Sequence, residues 1–141
     1  MTARRFLVLA AAVVFLDALT KQVLTTAPWA EHPRDLSLGY IAVGIIAPLA
    51  LALYPPARIG AALLLGGVIG NIVWASVGPV PNPFITTFHA TTTAFNLADV
   101  AIVAGAVWVC AMSPRCARDL VAWRKRRADG EHQELRRVPS G

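Results

Sequence analysis

Charge is scarce in this chain. Charged side chains make up 15% of its 141 residues, against about 25% in an ordinary soluble domain. There are two cysteines, too few for a disulfide-stapled secreted module. With 56% hydrophobic residues and a mean hydropathy of +0.56, a disordered chain is excluded as well. A soluble domain this small buries only part of its surface and has no interior able to hide so much apolar side chain. What remains is an integral membrane protein of one domain.

The formal net charge of +5 is unevenly placed. Residues 113–141 hold eight basic side chains (Arg115, Arg118, Arg124, Lys125, Arg126, Arg127, Arg136 and Arg137) against four acidic ones, which leaves the rest of the chain nearly neutral. A basic tail next to a membrane span marks a cytoplasmic end and is drawn to anionic lipid headgroups. Without aromatic interleaving beyond Trp123, and without a recognisable module, it is not read as binding nucleic acid.

Four apolar stretches approach the roughly 17–25 residues that a bilayer-crossing helix needs: about 6–24, 38–54, 59–77 and 93–112. Pro55 and Pro56 close the second, Gly78 and Pro79 the third, and Ser113 and Pro114 the fourth. The expected fold is all-α: a four-helix membrane bundle over residues 1–112, followed by the basic tail 113–141. Arg4 and Arg5, Arg58 and the tail fall on one side of such a bundle, while the opposite loops, 25–37 and 78–92, carry only Arg34 as a basic residue. That asymmetry predicts both termini in the cytoplasm.

The spans contain few polar residues, and those are costly in hydrocarbon unless paired or functional. Asp17 and Lys21 are four apart and share a helix face. Gly66 and Gly70 form a small-xxx-small pattern that lets helices approach closely, and Asn71 follows with an amide that needs partners. Asn96 and Asp99 share a face at the start of the fourth span. With the predicted topology, all of these fall at one level, in the outer half of the membrane. Read structurally, Asp17 and Lys21 are a self-neutralising pair, the glycines are packing, and Asp99 is a hydrogen-bonded packing carboxyl. Read functionally, three helices converge on an outer-leaflet site. Cys110 and Cys116 map to the cytoplasmic end with no histidine or third cysteine near them, so neither a metal nor another cofactor is expected.

These residues resemble a known family. Asp17-Ala18-Leu19-Thr20-Lys21, Gly66-Gly67-Val68-Ile69-Gly70-Asn71 and Phe95-Asn96-Leu97-Ala98-Asp99 look like the D-x-x-x-K, G-G-x-x-G-N and F-N-x-A-D motifs of signal peptidase II, the bacterial lipoprotein signal peptidase, in the same order. The resemblance implies an intramembrane aspartic endopeptidase of the bacterial inner membrane. Such an enzyme cuts diacylglyceryl-modified prolipoproteins before the lipid-bearing cysteine, using two aspartates to activate a water. It implies Asp99 as the second catalytic aspartate and Asp17, Lys21, Asn71 and Asn96 as supporting or substrate-binding residues, with membrane lipids and lipidated prolipoproteins as partners.

The departures are as informative. The family pattern continues G-N-x-x-D-R, but Trp74 and Ala75 stand where the acid and arginine would be. The first catalytic aspartate lies in a G-x-V-x-D-F-I-like segment; with a small gap, Asn82 of Gly78-Pro79-Val80-Pro81-Asn82-Pro83-Phe84-Ile85 occupies its place. An amide has the shape of a carboxyl but cannot hold and release the proton. The loop after the first span also lacks the family's N-x-G-A-x-F-like stretch. Three expectations follow. The first is a family member impaired in proteolysis that still binds lipidated prolipoprotein or lipid. The second is an active, divergent peptidase pairing Asp99 with Asp17, Glu31 or Asp35, or using His89 as a base. The third is a non-enzymatic scaffold or partner subunit whose polar residues serve packing.

Overall fold

The computed structural model describes residues 1–24, 26–31, 33 and 37–135, and among these the side chains of 1–115, 117–119, 121 and 122. Arg34 and Asp35 in the first loop, and Arg136 and Arg137 in the tail, therefore lie outside the described residues.

The first helix, α1, runs Ala3–Val23, and the Thr2 side chain caps it by accepting from the Arg5 N–H at 3.3 Å. A short 3₁₀ turn, Pro28–Ala30, follows. Ser37 caps α2, Leu38–Leu51, in the same way through the Tyr40 N–H. A proline-led turn, Pro55–Ala57, enters α3, Arg58–Ala75. Strands β1, Phe84–Phe88, and β2, Thr91–Phe95, form an antiparallel hairpin, and α4 runs Leu97–Leu135. Three stretches are long and apolar enough to cross a membrane: Ala3–Val23, Pro55–Ala75 and Leu97–Asp119. The 14 residues of α2 reach only about 21 Å, short of the roughly 30 Å hydrocarbon core.

The chain divides into two compact units, Met1–Val109 and Cys110–Gly141. In the first, α3 is the central helix. A Cβ at Gly66 would stand 2.7 Å from the Ala10 carbonyl oxygen of α1, and one at Gly67 would stand 2.5 Å from the Ala98 carbonyl oxygen of α4. On another face of α3, Val68 fills the space left by Gly44 of α2. Glycine at these positions lets the helix backbones come close enough for dense packing without side chains between them. At one end of the unit, Arg58 donates to the carbonyls of Met1 (2.6 Å) and Ala52 (2.8 Å), and the Trp108 indole donates to that of Pro56 (3.1 Å). The N-terminus, the end of α2 and the start of α3 thus meet there.

Two boundaries differ from the sequence-based expectation. Residues 93–95, expected to open the fourth span, belong instead to the strand Thr91–Phe95, and α4 begins at Leu97. The threonines Thr91, Thr92 and Thr93 are β-branched and favour a pleated surface, while Asn96 supplies a helix cap only after them. The hairpin closes on His89 and Ala90, whose φ values of 45° and 63° are those of a two-residue I′ turn, normally built with Gly or Asn. The expected stop at Ser113 and Pro114 is also not a stop. Pro114 has no N–H to offer the carbonyl four residues back, but the Ser113 hydroxyl donates to that Cys110 carbonyl at 2.8 Å. The freed acceptor is satisfied and the helix continues.

Candidate functional site

Asp17, Lys21, Asn71, Asn82, Asn96 and Asp99, drawn from three helices, the segment before the hairpin and the residue that links the hairpin to α4, form one hydrogen-bonded cluster. Lys21 lies one turn beyond Asp17 on α1, and its ammonium donates to Asp17 Oδ2 at 2.6 Å and to Asn71 Oδ1 at 3.1 Å. Gly70 makes room for the pair, since a Cβ there would stand 2.9 Å from Asp17 Oδ2. Asn71 Nδ2 donates to Asp99 Oδ1 at 2.9 Å, and Asn71 Oδ1 also accepts from Asn96 Nδ2 at 3.1 Å. Asn96 Nδ2 reaches Asn82 Oδ1 as well, at 2.7 Å, and Asn82 Nδ2 donates to the Ala30 carbonyl at 2.9 Å. Asp17, Lys21, Asn71, Asn82 and Asn96 are all buried, whereas Asp99 is half-buried.

The cluster is built on the N-terminus of α4. Its first N–H groups have no partner within the helix and must find one elsewhere. Asn96 Oδ1 accepts from the Asp99 N–H at 3.0 Å, and Asp99 Oδ2 accepts from the Asn96 N–H at 3.3 Å. This is a reciprocal capping box, with Asn in place of Ser or Thr and Asp in place of Glu. A third orphan, the Ala98 N–H, donates at 2.9 Å to Asp17 Oδ1 on α1. Two carboxylates thereby lie against the positive end of the α4 dipole. The spacing Asn96-x-x-Asp99 is readable as a box from sequence; the Ala98 and Ala30 backbone partners carry no residue-type signal.

Both oxygens of Asp17 are engaged, one by Lys21 and one by Ala98. Asp99 lies beside an apolar groove lined by Phe95, Val100, Val103 and Ala104, where it is the one polar lining residue. Trp74, where the resemblance would have an acid, buries an indole N–H that has no hydrogen-bond partner among the described residues, as does the Thr26 hydroxyl. Glu31 is exposed just past the 3₁₀ turn, and His89 sits at the hairpin tip with its ring edge-on to Phe88. Among the described residues no cluster of three or more His, Cys, Asp or Glu stands ready to hold a metal ion.

The fold and site define a class: a mostly helical protein with several membrane-length apolar helices and a buried amide-and-carboxylate cluster among them. A family model described as signal peptidase (SPase) II matches residues 36–114, a range that takes in α2, α3, the hairpin and the start of α4. The chain belongs to the signal peptidase II family. Asn71, Asn82, Asn96 and Asp99 fall inside the matched range, and Asp17 and Lys21 precede it. No curated protein matches the chain.

Proposed function

We propose that this is a signal-peptidase-II-type protein of the bacterial inner membrane, with both termini cytoplasmic and its polar cluster facing the outer leaflet. In this reading its proteolytic step is impaired and it retains a site for lipidated prolipoprotein or lipid. The carrying observation is the state of Asn82, the residue that the motif resemblance sets at the first-aspartate position: it is buried, and both of its amide atoms are engaged, by Asn96 and by Ala30. Aspartic chemistry needs two carboxyls that share and pass a proton, and removing one member of such a unit removes most of the rate. Asp17 is poorly placed as a substitute, because Lys21 and the α4 N-terminus already use its oxygens. The apolar groove beside Asp99 suits an acyl chain. The meeting of Met1 with the 55–58 turn, together with the basic residues at those points, supports the orientation.

The test is expression in a strain lacking its own signal peptidase II, with a prolipoprotein followed on a gel. Uncleaved precursor is expected. Cleavage that disappears with Asp99→Asn overturns the impaired reading in favour of an active divergent peptidase. A reporter fused to the C-terminus is expected to read out as cytoplasmic, and a periplasmic signal refutes the orientation.

The second reading, a scaffold or partner subunit, is favoured by one observation: Asp17, Asn96 and Asp99 are all used to cap α4. Photo-crosslinking from the Val103 position to a diacylglyceryl-modified peptide separates the two. Specific labelling supports the substrate site, and its absence supports the scaffold.

A further inference from the structure

Asn82 is held in an unusually stiff piece of chain. Pro79, Pro81 and Pro83 surround it in Pro79-Val80-Pro81-Asn82-Pro83; each fixes its own φ, and each pushes the residue before it into extended backbone. Val80, two residues earlier, is fully buried and anchors the segment. The partner segment is equally short of freedom. Pro28 opens the 3₁₀ turn, which is closed by the Ala30 N–H to Ala27 O (2.8 Å) and the Glu31 N–H to Pro28 O (3.3 Å). Ala30 itself is fully buried.

The bond between them has a direction. Asn82 Oδ1 is occupied by the Asn96 amide, so the group that meets the Ala30 carbonyl is the NH₂. A carboxylate has no hydrogen to give to a carbonyl. It would satisfy Asn96 and leave Ala30 O buried and opposed by a second acceptor, an arrangement that costs the desolvation of the unpaired group. The amide is therefore required here by its donor.

We propose that Asn82 is a latch: its NH₂ pins the Pro28–Ala30 turn to the Asn96–Asn71 amides and holds the polar cluster closed on that side. The residue that the resemblance sets in the first-aspartate position has a structural task of its own, and an ionised carboxylate returned there alone opens the turn. This goes beyond the loss of proteolysis and does not depend on it, because the latch rests on a hydrogen bond and not on turnover.

Hydrogen–deuterium exchange on the full-length protein in lipid nanodiscs tests it. In the wild type, the Ala30 and Glu31 amides are expected to exchange slowly; exchange at the rate of an open turn overturns the proposal, even if every variant fails to fold. Asn82→Leu keeps most of the volume and removes the donor, while Asn82→Ala removes both. Each is expected to speed exchange over residues 27–31 about tenfold, the scale of one lost buried hydrogen bond, with exchange in α3 unchanged. A Leu variant as protected as wild type makes the residue a space filler and refutes the latch. A parallel rise in the turn and in α3 marks general loosening and refutes it too.

Discussion

The two carboxylates at the head of α4 stand in opposite situations. Asp17 is fully buried, shares its oxygens between an ammonium and a backbone N–H, and sits beneath a glycine that exists to accommodate it. Asp99 is half-buried, takes part in a capping box, and borders an apolar groove. The α1 side of the cluster is thus closed and charge-balanced, and the α4 side is open to the surroundings. A buried ion pair is costly to break and contributes geometry, whereas Asp99 borders the groove with both oxygens turned to Asn71 and the Asn96 N–H.

The largest effect expected from breaking this contrast is at the closed end. Lys21→Ala leaves Asp17 buried without its cation and should destabilise the fold by about 3–5 kcal/mol, read as a lowered thermal midpoint in mild detergent or as loss of folded yield. The double change Asp17→Leu with Lys21→Met should recover only part of that loss: it avoids the uncompensated charge but leaves the buried Ala98 N–H without its Asp17 acceptor.

Next comes the seam between α3 and α4. Gly67→Ala drives a methyl against the Ala98 carbonyl, which is backbone and cannot rotate away. A loss of about 1–3 kcal/mol is expected, while Gly39→Ala, with nothing within 4 Å, should lose nothing in the same melts.

At the open end, Asp99→Ala removes one half of the capping box and one partner of Asn71. The expected cost is about 0.5–2 kcal/mol, smaller than at Lys21, with any ligand crosslinking from the groove falling more than stability does. A larger stability loss at Asp99 than at Lys21 would reverse the contrast. The smallest effect is expected at Thr87, whose hydroxyl shares an exposed bond with Thr92 in the hairpin. Thr87→Ala should stay within about 0.5 kcal/mol of wild type.

Much of the site was legible in advance because its spacing is local. Asp17 and Lys21 are one helical turn apart, and their pairing follows from that alone. Gly66-x-x-x-Gly70 announces a close helix contact, and Gly66 does meet the α1 backbone. The hairpin was not legible as an element. Residues 93–95 join smoothly onto the apolar run that follows, and hydropathy does not separate a threonine-rich strand from the first turn of a helix. The length of α4 was obscured by Pro114, since nothing in composition says that a neighbouring serine will occupy the stranded Cys110 carbonyl.

By itself, the sequence determined that this chain belongs in a membrane and which few polar residues its apolar stretches carry, because so low a charge fraction leaves no other solvent and makes each polar side chain conspicuous. The motifs likewise suffice to place it in its family. Only the tertiary structure decided what those residues do to one another. Asn82 and Ala30 are 52 residues apart, and the decisive acceptor is a backbone carbonyl, which every residue has. The same holds for the Ala98 N–H that Asp17 caps. Main-chain groups are chemically identical along the chain, so it takes the fold to choose which of them a buried side chain will find.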